Sequence, residues 1–227
     1  DVSAWKDYLL AIRETAEAAE RDLGITLRGI VTAIRHFGPD KARQTALCAA
    51  ETAGDWLTGF GLAGDEKKGK QRDFAWAFDC AREAGLRLTS HAGEWNGPQE
   101  VREAVEDLGV ERIGHGVRAW GDRAVVDMLA EREIVLEVCP GSNVFLGVFP
   151  SLAAHPIAKL RDAGVKVTVS TDDPPFFHTT MRREFEDLAK TFHWDEEVFE
   201  ELNRTALDAA FCDAATRDAV LKRLEPK

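Results

Sequence analysis

The chain has 227 residues, 44% apolar and 30% charged, which is enough for one sizeable core and ordinary for a globular protein. A net charge of −11, from 40 acidic and 29 basic residues, argues against nucleic acid or an anionic membrane as partner, since both favour clustered Lys and Arg. The four cysteines, Cys48, Cys80, Cys139 and Cys212, form no CxxC pair and read as reduced thiols of a cytoplasmic protein.

The chain opens directly in a helical pattern at Val2-Ser3-Ala4-Trp5-Lys6 and reads as an interior segment of something longer, with no signal-like stretch and no bilayer-length apolar run. From there short apolar, β-branched runs alternate with Ala/Glu/Arg-rich helical stretches. Strands are expected at 29–34, 56–60, 86–89, 112–113, 134–138 and 165–169, and helices at 41–53, 73–84, 98–108, 122–132 and 152–163. Pro98 suits a first helical turn, and Gly85 and Gly164 suit left-handed helix ends. Lys67, Lys68 and Lys70, the only basic cluster, read as a solvated loop. After the last strand only helices follow, at 181–191, 196–210 and 214–224. Strand spacing of roughly 20–30 residues implies βα units, and strands apolar throughout imply a parallel sheet buried on both faces. The expectation is an α/β fold, a single (β/α)8 barrel domain over 1–227 with six of its eight strands in this chain.

Polar residues suited to catalysis collect where each strand ends. They are Gly61-Leu62-Ala63-Gly64-Asp65-Glu66, Ser90-His91-Ala92-Gly93-Glu94, Gly114-His115-Gly116, Cys139-Pro140-Gly141-Ser142-Asn143 and Ser170-Thr171-Asp172-Asp173-Pro174. A barrel gathers those ends on one face, which an open sheet does not. Singly, each motif has an ordinary reading: a satisfied strand-end histidine, a helix cap, a tight turn, an Asx turn, and, for Cys139-Pro140, a strand terminator. Together, two histidines, a glutamate and an aspartate pair at equivalent positions point to hydrolysis. Imidazole and carboxylate suit a borderline cation such as Zn²⁺, which acidifies water, and a nearby Glu can carry protons.

The ordered set LAGDE, HAGE, IGHG, CPxSN and STDDP closely resembles the adenosine deaminase family of the amidohydrolase superfamily, from about Ile30 to the C-terminal helices. The resemblance implies one zinc ion per active site, with His91 and Asp172 as ligands. It implies that Glu94 donates a proton to purine N1 and that His115 is the base or electrostatic guide for the attacking water. Asp173 would bind N7, and the Gly64 backbone N–H would meet N3. The implied reaction is adenosine to inosine and ammonia, on a small purine nucleoside, without nucleic acid or membrane. The alternatives are an adenine deaminase or another 6-aminopurine deaminase, and a non-catalytic barrel fragment.

Departures from the family pattern matter. The family has a zinc-binding His-x-His on its first barrel strand, and no two of the six histidines here are two apart. The expectation is therefore that the first two strands are missing and that this polypeptide alone does not turn over. Gly61 replaces a common Asp, and Trp95 follows HAGE where smaller residues are usual, either lining the pocket or packing on the surface. LAGDE and HAGE look more like the nucleoside branch, and the lack of a basic cluster near the motifs disfavours a phosphorylated substrate. Phe176 and Phe177 after the Asp pair either line the purine pocket or pack in the core, with core packing the favoured reading.

Overall fold

In the computed structural model, which describes residues 2–224, six parallel strands form one sheet in strictly sequential order. They are β1 (Gly29–Ile34), β2 (Leu57–Ala63), β3 (Arg87–Ala92), β4 (Arg112–His115), β5 (Val135–Val138) and β6 (Lys166–Val169). Sequential order without reversal is the order of a barrel wall rather than of a doubly wound sheet, and it holds because each crossover helix returns the chain beside the strand just left. Those crossovers are α2 (Pro39–Thr52), α3 (Ala75–Glu83), α4 (Pro98–Leu108), α5 (Arg123–Glu131) and α7 (Ile157–Asp162). The chain opens with α1 (Val2–Leu23). Two short helices, α6 (Pro140–Phe145) and α8 (Pro174–Phe177), follow β5 and β6, and α9 (Met181–Phe192), α10 (Glu196–Ala209) and α11 (Ala214–Leu224) close the chain.

Local chemistry sets the boundaries. Pro39 and Pro98 sit in first helical turns, where their missing N–H costs nothing. Asp122, Thr180 and Asp195 cap α5, α9 and α10 by accepting from backbone N–H groups of the first turn. Gly85 and Gly164 carry the chain out of α3 and α7 with φ of 82° and 87°. The core is continuous between sheet and helices, with Phe60, Phe78, Leu108, Ile113, Leu129, Leu136 and Leu160 sealed from solvent. β1 pairs with β2 alone among the described residues, and the apolar groove between its outer rim and α1 is lined by Trp5, Tyr8, Ile12 and Trp56.

Four expectations are corrected. β2, β3 and β4 run on to Ala63, Ala92 and His115, so both site histidines lie within strands rather than after them. The helix expected at 152–163 is split into a 3-10 turn (Leu152–Ala154) and α7, because Pro156 and the extended His155 before it break the run. Cys139-Pro140 does not merely stop a strand; Pro140 starts α6. Phe176 is 72% exposed and so is not core, while half-buried Phe177 packs edge-on against Phe145. Lys67, Lys68 and Lys70 are exposed, as expected.

Candidate active site

His91 and His115 end neighbouring strands, and the sheet register sets Ala92 beside His115 and His91 beside Gly114. A Cβ on Gly114 would lie 2.4 Å from His91 Cδ2, so the glycine is what lets the His91 ring lie across β4. The two imidazoles meet edge to face, 5.0 Å apart. The His91 carbonyl is held from behind by buried Arg35 (2.9 Å) and buried Gln71 (3.3 Å), which also reach Glu100 at 3.5 and 3.2 Å. Burial lowers the His91 pKa in spite of Glu137, Asp172 and Glu66 nearby, so the ring is neutral and has a lone pair to offer.

Glu94 stands in a loop clamped by Glu66, whose carboxylate is buried and accepts the backbone N–H groups of Glu94, Trp95 and Asn96 at 3.0, 3.0 and 2.8 Å. Arg118 donates to the Glu94 carbonyl at 2.7 Å. The Glu94 carboxyl therefore faces inward on a rigid loop, with Oε1 accepting from Asn143 Nδ2 at 3.2 Å and Oε2 lying 3.7 Å from His115 Nε2. Burial, then the Glu66 and Asp172 carboxylates, push it up to about 7, against hydrogen bonds from Trp95 and Asn143. A carboxyl poised near neutrality is suited to giving and taking a proton at physiological pH.

His115 is buried and holds φ of 62°, and Asp172 holds 61°. Left-handed backbone is uncommon outside glycine, and two such residues in one cluster mark a site where geometry is imposed at a cost. Burial first, then the His91 and His155 rings, hold His115 at about 3, so it too is neutral. Asp172 Oδ2 accepts from buried Ser142 Oγ at 2.7 Å, which leaves its other oxygen for a cation or water. His115, Cys139 and Asp172 bring donor atoms within 4.8 Å of one another, a trio that shares only Asp172 with the expected pair His91 and Asp172. Chemistry favours the latter pair, because burial, then Asp172 and Glu137, push the Cys139 thiol well above its usual range, and a metal ligand must be thiolate. The neutral His91 imidazole and the Asp172 carboxylate with its free oxygen fit a divalent cation of zinc's type.

His91, Glu94, His115 and Asp172 thus meet at one end of the sheet. The other two expected residues stand apart from that cluster's hydrogen bonds. Gly64 (φ 94°) follows β2, where a Cβ would meet His36 Nδ1 at 3.0 Å, and exposed Asp173 precedes α8 without capping it through its side chain. Trp95 is 42% exposed. Sequence reasoning assigned no role to Glu66, Ser142, Asn143 or His155. The first three lay inside quoted motifs, and His155-Pro156 was itself a break signal within the expected helix.

No helix among the described residues is long and apolar enough to cross a membrane. A family model described as adenosine deaminase matches residues 4–227. Adenine deaminases of Rhizobium johnstonii and Agrobacterium fabrum are 50% and 48% identical over 217 residues, 96% of this chain and 67% of theirs. Among solved structures, an adenine deaminase from Arthrobacter aurescens superposes with a TM-score of 0.88 at 30% identity, covering 94% of this chain and 65% of that one. An amidohydrolase from Burkholderia ambifaria solved with bound Zn gives 0.90 at 28%, covering 97% and 62%. The chain therefore spans about two thirds of the length of these proteins.

Proposed function

The chain belongs to the adenosine deaminase family, and from that premise we propose that its site removes the 6-amino group of a 6-aminopurine by hydrolysis, with adenine as substrate: adenine and water give hypoxanthine and ammonia. The observation that carries the chemistry is the convergence of His91, Glu94, His115 and Asp172, with Glu94 at about 7 and both rings neutral. The choice of adenine rests on the adenine deaminases 50% and 48% identical to this chain, against the sequence expectation of adenosine. Adenosine remains the second reading, because LAGDE and HAGE look more like the nucleoside branch.

In this reading Glu94 gives its proton to ring N1, which withdraws electron density from C6 and opens it to water. Its burial leaves a large share of that carboxyl protonated near neutral pH. His115 orients and polarises the attacking water. Asp173 grips N7, and the Gly64 N–H meets N3. His91 and Asp172 would hold a divalent cation, which when bound would supply a more acidic water near neutral pH. Two donors from one chain hold such an ion weakly, so the 227-residue polypeptide alone is expected to lack turnover until further ligands are supplied.

The test is ammonia release from adenine and adenosine in parallel by zinc-loaded enzyme containing this chain, beside its Glu94→Gln variant. Release from adenine, lost by roughly 100-fold or more in the variant, is expected. Turnover of adenosine alone would reject adenine, and an active Glu94→Gln enzyme would reject the proton donor.

A further inference from the structure

We propose that His155 is a positioning residue that, through Asn143, fixes which ring nitrogen of His115 carries the hydrogen. The inference deepens the deaminase reading and rests on it for its consequence in turnover. It begins outside the reacting groups, at α7, where the backbone N–H of Ile157 points at His155 Nδ1 from 3.2 Å. A backbone N–H can only donate, so Nδ1 must accept and Nε2 must carry the hydrogen of the neutral ring. That Nε2 lies 3.1 Å from Asn143 Oδ1, so the bond runs from histidine to amide oxygen. The amide is thereby oriented, with its Nδ2 turned to the site. Its two hydrogens face two acceptors, Glu94 Oε1 at 3.2 Å and His115 Nδ1 at 3.3 Å.

Each bond in this chain sets the sense of the next. Asn143 is fully buried and His155 is 1% exposed, so water does not compete. Phe149 meets the His155 ring edge-on at 4.9 Å and holds its plane. Burial keeps His155 neutral, down at about 4, so it does not become a donor at both nitrogens near neutrality. The lone pair of His115 is consequently committed inward to Asn143, and its N–H is presented at Nε2, on the side of Glu94 Oε2 at 3.7 Å. His115 enters the reaction offering a hydrogen rather than a lone pair, which decides between the two roles open to it in favour of the guide. One helix amino-terminus thus sets the polarity of the reacting histidine two hydrogen-bonded residues away.

Long-range ¹H–¹⁵N correlation spectra of the imidazoles in the labelled chain at neutral pH test this without substrate. Both His155 and His115 should appear as the Nε2–H tautomer, and an Nδ1–H form of His115 in the parent chain overturns the proposal. Asn143→Asp offers His115 Nδ1 an acceptor in place of a donor, so the tautomer of His115 should switch. In an active enzyme kcat should then fall by at least ~100-fold, with little change in KM. His155→Gln keeps a donor for Asn143 and an acceptor for Ile157, so it should preserve the His115 tautomer; His155→Phe should leave it mixed. Loss of thermal stability in His155→Phe with the tautomer unchanged would make His155 merely structural and reject the relay. Because the spectra need no turnover, failure of the deaminase reading leaves the tautomers as stated, and failure of the relay leaves turnover standing.

Discussion

The two ends of the sheet are built on opposite plans. At the carboxyl end of the strands, buried polar side chains satisfy one another across long sequence distances, and two non-glycine residues sit in left-handed backbone. At the amino end Phe211 seals the bottom beneath two cations, with the guanidinium of Arg112 3.5 Å and that of Arg87 4.5 Å from its ring centre. Gly59 makes room for it, since a Cβ there would come within 2.7 Å of the ring. Arg112 and Arg87 are in turn held by Glu137 at 2.9 Å and Glu111 at 2.7 Å. The contrast separates cohesion from chemistry: one rim stabilises by filling space, the other forgoes that gain to hold polar groups ready.

Truncating the lower plug should have the largest effect on stability. Phe211→Ala is expected to cost about 4 kcal/mol in denaturant unfolding while leaving the ring-nitrogen spectrum of His115 untouched; a changed spectrum would show that the two rims are coupled. Next comes Glu66→Ala, which strands three backbone N–H groups in the upper loop at a cost of about 3 kcal/mol. Hydrogen exchange at residues 94–96 should rise well above that of β5, and equal protection would mean that the carboxylate is not the clamp.

A pH series sharpens the comparison further. The Glu94 pKa, raised to about 7, makes the folded state hold a proton that the unfolded chain releases near its ordinary value, so Glu94 destabilises progressively from about pH 4.5 to 7 and fully above. Glu94→Gln should therefore gain about 3 kcal/mol relative to the parent at pH 8 and nothing at pH 4. The lowered His115 and His155 act with opposite sign. The unfolded chain takes up protons below about 6.5 that the folded rings refuse until about 3 and 4, so stability falls on acidification through that window. The smallest change is Gly114→Ala. It should cost about 1 to 2 kcal/mol by crowding His91 and should shift that ring's resonances; unperturbed resonances would show that the strand yields instead of the ring.

Much of the upper rim was legible in the sequence because the βα rhythm places strand ends on one face, and His91, Glu94, His115 and Asp172 all fall there. The apolar pattern understated β3 and β4, since Ser90, His91, Gly114 and His115 interrupt it and are held in the sheet by pairing with neighbours, as His91 is beside Gly114. Glu66, Asn143 and His155 were opaque for a different reason: their roles exist only as partners 30, 49 and 12 residues away. LAGDE and HAGE do not separate adenine from adenosine, because the residues they supply are expected at the purine ring, which both molecules carry, and at the cation.

The left-handed backbone at His115 and Asp172 has one more consequence. A glycine at either position would relax the main chain by roughly 1 kcal/mol while deleting the side chain that gives the position its use. Selection for a sturdier molecule would thus drift toward an inert one at these two residues, and a screen that ranked variants by heat resistance alone would favour silent enzymes.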